Sequence, residues 1–214
     1  MMINKTVSYY NNADDSKSKI RYNLDYVLGM IRDDQELFQQ TVRLRSISTE
    51  EEYKQAKKLL PMIAPSGVFD YRNDNPENLR EYSNVLVLDF DHFQNHLDAG
   101  EFKRNLIDNA DRLYIYALWF SPSGLGVKVA MLHDNTTPMY HNELFRCIRE
   151  QLYQEYQSLM INADNLSRTF FLSWIRRFIS IHNGIILSLT ILSIPRSSVG
   201  QPPMKSYNQG YISN

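Results

Sequence analysis

The chain is poor in cysteine: Cys147 is the only one among 214 residues. That excludes an internal disulfide framework and a cysteine-rich zinc site. No clean run of about 20 apolar residues occurs, so nothing in the sequence reads as a membrane-spanning helix. The apolar patch IILSLTILSI, Ile185 to Ile194, is too short and lacks the flanks of a span. The polar N-terminus MMINKTVSYYNNADDSKSKI has no apolar core of a signal peptide. The expected compartment is therefore cytoplasmic. Net charge is −1, so no global field draws in nucleic acid, and any such binding must come from a local patch. No G-x-x-x-x-G-K-[ST] motif and no internal repeat is present.

What remains is enough chain for one substantial domain. Residues 1–20 read as a loose start. Leu24 to Arg45 has helical spacing of apolar positions, with a break near Arg32-Asp33-Asp34. Ser48 to Glu51 reads as a capping box opening a helix that Pro61 stops. Ser66 to Tyr71 reads as a short strand, and Asp98 to Asn109 as a helix. Leu113 to Phe120 and Gly126 to Leu132 read as core strands. Thr137-Pro138 opens a long expected helix reaching Met160, in which Cys147 is filler, and Thr169 to Trp174 reads as a further strand. The expected fold is α/β (α+β): a mixed central sheet flanked by helices.

Three stretches carry chemistry. NVLVLDFDHF runs through four apolar residues, Val85 to Leu88, into Asp89 and Asp91. Alternation along a strand points both carboxylates the same way, with Cα atoms roughly 6.6 Å apart. Two like charges repel, and desolvation adds to the cost, so a cation belongs beside them; a divalent metal is the simplest candidate. A solvated turn is the plain alternative. His92 and His96 read as ordinary polar residues. The second stretch, SPSGLGVK, places Ser121, Ser123, Gly124 and Gly126 in a tight connection with Lys128 two residues into the next strand. Glycines, hydroxyls and exposed amides can cradle phosphate oxygens, and Lys128 supplies a point charge. A simple hairpin with an exposed lysine is the alternative. The third, NADNLSR, offers Asp164 as a third carboxylate and Arg168 as a bidentate phosphate clamp, against a plain Asp-Asn turn with a surface ion pair. Together they make a kit for metal-dependent nucleotidyl transfer, in which carboxylate-held metals bridge a triphosphate and basic residues neutralise it.

The order LPMIAPSGVF, VLVLDFDHF, SPSGLGVKV, NADNLSRTFFLSW resembles the VirE N-terminal domain family of Bacteroidetes mobile elements and phages, over about residues 20 to 174. That family is similar to the archaeo-eukaryotic primase, or primase-polymerase, superfamily. The resemblance implies a primase-polymerase-like domain over residues 21–174 that serves DNA replication of a mobile element. Its acidic first motif falls on Asp89 and Asp91, its second on Ser121 to Lys128, and its third on Asp164. Those three aspartates would hold Mg²⁺ or Mn²⁺. Ser121, Ser123, Gly124, Gly126, Lys128 and Arg168 would handle triphosphate or template phosphate. Lys128 stands where many primases carry a histidine, which keeps the charge but loses the imidazole's second hydrogen bond. The resemblance also implies DNA, nucleoside triphosphates and a P-loop helicase-like domain or protein as partners. A catalytically inactive module that binds DNA or recruits a helicase is the rival reading, and a metal-dependent nuclease a third.

After Trp174 the text changes: residues 175–214 contain no Asp or Glu. With one chosen set of legal codons, the segment from Trp174 read in a shifted frame can give D-P-E-I-Y-I-N-P-Q-W-D-N, the D-P-containing continuation that the resemblance leads one to expect. A frameshifted tail, and hence a poorly ordered one, is the expectation; a genuine divergent tail is the alternative.

Overall fold

The run Val85–Phe90 is buried along its whole length, as a strand covered on both faces must be. Around it the computed structural model describes residues 2–17, 19–73, 75–161, 164–175, 179–180 and 187. In chain order the elements are β1 (Thr6–Tyr10), β2 (Ile20–Asn23), α1 (Leu24–Asp33), α2 (Gln35–Arg45), α3 (Glu50–Lys58), β3 (Met62–Ala64), β4 (Gly67–Phe69) and β5 (Leu79–Tyr82). They continue with β6 (Val85–Phe90), α4 (His96–Asp108), β7 (Ile115–Phe120), β8 (Val127–Leu132), α5 (His141–Gln151), β9 (Phe170–Phe171) and β10 (Ile179–Ser180). The α/β (α+β) class expected from sequence is what forms.

The strands divide into two four-stranded sheets, ordered β2-β1-β3-β9 and β10-β7-β8-β6, and the hairpin β4-β5. The pairings within them are antiparallel, where a single mixed sheet was expected. Because β6 and β7 flank β8, the connection through α4 is a crossover that skips one strand. Phe90 points to the helical side, against Phe102 of α4, Tyr153 and Tyr156. The hairpin closes over the far face of the first sheet, where Tyr10, Met62, Ala64 and Phe69 form a small second core.

Four differences from the sequence reading have local causes. The loose start contains β1, whose TVSYY composition suits a pleated, half-buried surface; Val7, Tyr9 and Tyr10 are buried, and β1 lies between β2 and β3. The expected capping box does not form: Thr49, one residue later, is the N-cap of α3 and makes no side-chain cap bond, its hydroxyl donating instead to the Glu52 carboxylate at 2.7 Å. The long helix ends at Gln151, and residues 154–159 tighten into a 3-10 turn because Tyr153 is drawn into the core to donate to the Leu113 carbonyl at 3.1 Å. The strand expected over Thr169 to Trp174 pairs at Phe170–Phe171 alone. Beyond it Trp174 is held at the corner of α1 and α2: its amide donates to Thr41 Oγ1 and its indole to the Arg32 carbonyl, each at 2.9 Å. Of the atypical tail, Ile175, β10 and Leu187 are described; residues 176–178, 181–186 and 188–214, and the order expected of them, lie outside the described residues.

Two buried histidines, His133 just after β8 and His141 at the first position of α5, stand near Tyr82 of the hairpin. His141 bonds Ser66 Oγ at 3.3 Å and Tyr82 OH at 3.1 Å. Neither ring nitrogen of the buried His133 makes a well-formed hydrogen bond among the described residues. Burial pulls His133 down to about 3 and His141 to about 4.

Two outcomes follow. A chain beginning at Ile20 loses β1, the inner strand to which β2 and β3 both pair, and should show no cooperative thermal melt; a melt within a few degrees of the intact chain would contradict the assignment. Both histidines stay neutral in the fold, while the unfolded chain takes up protons near the ordinary value of about 6.5. Stability is thus complete above that pH and should fall as the pH drops towards 4, by up to about 1.4 kcal/mol per pH unit for each histidine. Denaturation of His133→Leu across this range should show roughly half the histidine-linked slope; a slope equal to that of the unsubstituted chain would remove His133 from the account.

Candidate functional site

The register of the second sheet sets Asp89 of β6 opposite Lys128 of β8, and Lys128 opposite Trp119 of β7. Opposed residues share a face. On that face Lys128 Nζ donates to Asp89 Oδ1 at 2.7 Å, with the two side chains 7% and 13% exposed. The cation demanded by the aspartate pair is therefore partly supplied by the chain itself. The same ammonium lies 5.2 Å from the Phe170 ring centre on β9, so the pair bridges the two sheets.

Asp91 lies just past the end of β6. Its amide donates to the Leu159 carbonyl at 2.8 Å, and its Oδ1 accepts from the His92 amide at 2.9 Å. The turn from β7 to β8 closes beside it. There Ser121 N donates to Gly126 O and Gly124 N to Ser121 O, both at 2.8 Å, and Leu125 N donates to Ser123 Oγ at 3.2 Å. These three amides are used within the turn, so they do not form the open amide cradle expected from sequence. Gly124 has φ +78°, which a side chain would strain. A Cβ on Gly126 would sit 2.9 Å from Phe90 O, 3.0 Å from Ser121 Oγ and 3.2 Å from Asp91 Oδ1. Glycine at 126 is what lets Asp91 and the serine loop touch.

Side chains of three helices meet this loop, and two of them bond it. Arg45 of α2 donates to Pro122 O at 2.9 Å and to Ser121 O at 3.4 Å; burial lowers its pKa. Tyr53 of α3, its hydroxyl pushed up first by burial, has Ser123 as a neighbour. His96, at the start of α4, sets Nδ1 3.3 Å from Gly124 O.

The result is one cavity of about 270 Å³. Asp89, Asp91, Ser121, Ser123, Lys128 and Arg168 all line it, together with Lys57, Phe170 and Phe171. Lys57 of α3 is lowered first by burial and then by Lys128, and its ammonium lies 5.3 Å from the Phe171 ring centre. Three cations thus face two carboxylates, one of which is already paired. The local excess is positive and partly desolvated, a setting in which an anion is held more strongly than in bulk water.

Asp164 is elsewhere. The chain leaves the β6 edge after Ile161, whose amide bonds Asp89 O at 2.8 Å, then turns between Asn165 and Arg168 at 3.1 Å. That turn puts Arg168 into the cavity and Asp164 into a separate one of about 370 Å³, beside Arg146 and Arg149 of α5. Among the described residues no cluster of three or more His, Cys, Asp or Glu is placed to hold a metal ion. The expected three-carboxylate set is two carboxylates in this structure.

With the geometry in view, a family model, "BT4734-like, N-terminal domain", matches residues 54–174. The chain belongs to the BT4734-like N-terminal domain family. No curated protein and no solved structure matched it. The BT4734-like match begins at Lys54 on α3, three residues before Lys57, and takes in every residue that lines the cavity; Arg45 lies outside it. Sequence reading passed over Lys57 because it sits in an ordinary-looking charged helix. The available signal was spacing: Tyr53 and Lys57 are four apart and so share a helix face, the face that meets the loop. No helix of the described residues is long and apolar enough to cross a membrane.

Removing one end of the buried pair leaves the other charge uncompensated. Lys128→Met should cost about 3–5 kcal/mol in chemical denaturation, and Asp89→Leu/Lys128→Met much less than the sum of the single changes. Additive losses would mean that the two groups do not stabilise one another.

Proposed function

We propose that this chain binds nucleoside triphosphates in the Asp89–Lys128 cavity and performs metal-dependent nucleotidyl transfer of the primase-polymerase type on a DNA template. The observation that carries the reading is that Asp89 and Asp91 open onto the same cavity as Lys57, Lys128 and Arg168. Carboxylates alone would suit a cation and basic groups alone an anion. Both together suit a metal–polyphosphate. The motif order that resembles the VirE N-terminal and primase-polymerase families supports the same reading. Replication of a mobile element or phage, beside a P-loop helicase-like partner, is its biological setting.

Asp89 and Asp91 offer hard oxygen donors on one wall and fit Mg²⁺ or Mn²⁺; such an ion supplies charge neutralisation on the phosphates and activates a primer hydroxyl. The chain's own residues do the rest. Lys57 and Arg168 neutralise phosphate oxygens, Arg168 in bidentate fashion. Lys128 exchanges its Asp89 partner for a phosphate, which frees that carboxylate. Ser121 and Ser123, whose hydroxyls lie 3.0 Å apart, hydrogen-bond the ligand from the loop. Phe170 and Phe171 keep that wall apolar and strengthen each charge contact.

A second reading is favoured by Lys128 holding Asp89 and by Asp164 standing apart: a non-catalytic module that keeps nucleotide or DNA binding and recruits a helicase. Primer synthesis from labelled nucleotides with Mn²⁺ separates the two. The enzyme reading expects product that disappears in Asp91→Ala. Triphosphate binding without product sinks catalysis and leaves the module, and cleavage of the template in place of extension points to a nuclease. In either binding reading, Lys57→Met should weaken triphosphate binding by roughly tenfold, on the order of 1.4 kcal/mol; unchanged affinity would exclude this cavity.

A further inference from the structure

A second basic surface lies away from the cavity. The hairpin β4–β5 and the strand β2 enclose an open groove of about 600 Å³, lined by Lys17, Lys19, Arg21, Arg80, Asp70 and Tyr71 among others. Four cations face one lining carboxylate, in a chain whose net charge is −1. Asp70 is ion-paired with Arg80 and is held below the usual carboxylate range first by that hydrogen bond. Arg21 has a distant partner in Glu81, at 3.9 Å. Tyr71 is 43% exposed, and Lys17 Nζ lies 5.0 Å from its ring centre.

We infer that this groove binds single-stranded nucleic acid, with Lys17, Lys19 and Arg21 on the phosphates and Tyr71 as a stacking platform for a base. The combination is specific to that ligand class. A small anion needs no exposed ring, and an apolar peptide needs no row of cations. A cationic track with an aromatic beside it is how single strands are held without sequence preference. The place fits too. β2 is the outer strand of its sheet and β9, which lines the cavity, is the strand at the opposite edge. Three strand spacings, about 14 Å, separate the edges, so a strand can lie in the groove without occupying the cavity. Arg21 pairs with Ser8, Tyr10 with Met62, and Met62 with Phe171, so alternation puts Arg21 and Phe171 on one face and Phe170, which meets Lys128, on the other. The inference rests on the nucleic-acid partner proposed above and gives it a location.

Edge strands also carry lysines merely to prevent pairing with other sheets. Charge reversal separates the two roles, since glutamates guard an edge as well as lysines do. The experiment is fluorescence anisotropy of the full chain with labelled oligodeoxythymidine and oligouridine, each about 20 nucleotides long, at several salt concentrations. Binding is expected, with a log–log salt slope of about −2 to −3 for three to four phosphate contacts. Lys17→Glu/Lys19→Glu/Arg21→Glu should lose at least about tenfold in affinity. Tyr71→Ala should lose several-fold at an unchanged slope. Unaltered affinity in the triple variant overturns the inference, as does polyglutamate competing as well as the oligonucleotide. Triphosphate titrations of the same proteins keep the sites apart. The triple variant should bind triphosphate normally, which also shows that it is folded, and Lys57→Met should bind oligonucleotide normally. Loss of triphosphate binding in the triple variant, with its circular dichroism unchanged, would deny that the groove is a separate site.

Discussion

The Asp89–Lys128 ion pair is the interaction on which the site depends. An ionised carboxylate at the end of a fully buried strand costs several kcal/mol unless something compensates it. The compensation comes from the neighbouring strand, set opposite by the register of β6 and β8, and the lysine reaches on towards β9. One contact thus joins β6, β8 and β9 along the wall of the cavity and sets charge on its lining. It also explains how the second aspartate can stay at the rim: Asp91 is only half-buried, and its backbone is held by the Leu159 carbonyl.

A second constraint is the crowding at Gly126. The β7–β8 turn approaches β6 closely enough that a methyl group would meet the strand's carbonyl and the Asp91 carboxylate. Arg45 of α2 and His96 of α4 hold the turn from two helices. A loop supported in this way has few alternative shapes, and the hydroxyls of Ser121 and Ser123 point where the cavity is.

Much of this was legible in the residues and some was not. The strand 85–90, the two carboxylates and the serine–glycine turn announce themselves through local rules: continuous apolar burial, alternation, and turn chemistry. The α1–α2 break at Arg32-Asp33-Asp34 was legible too, with Asp34 capping α2 through the Leu37 amide at 2.8 Å. What escaped is what tertiary packing decides. TVSYY looks like polar leader until it is seen between two strands. Lys128 reads as a phosphate ligand, and nothing local reveals that it first answers Asp89. Asp164 and Arg168 are four residues apart, and only the path of the turn sends them to different cavities.

The most direct test of the cavity's role is a crystal structure of the chain grown with Mn²⁺ and a non-hydrolysable nucleoside triphosphate. The account predicts phosphate oxygens at Lys57 and Arg168, Lys128 turned from Asp89 to the ligand, and anomalous manganese density at Asp89 and Asp91. Triphosphate bound instead beside Arg146 and Arg149, with Asp164 on the metal and the Asp89–Lys128 pair intact, would contradict it.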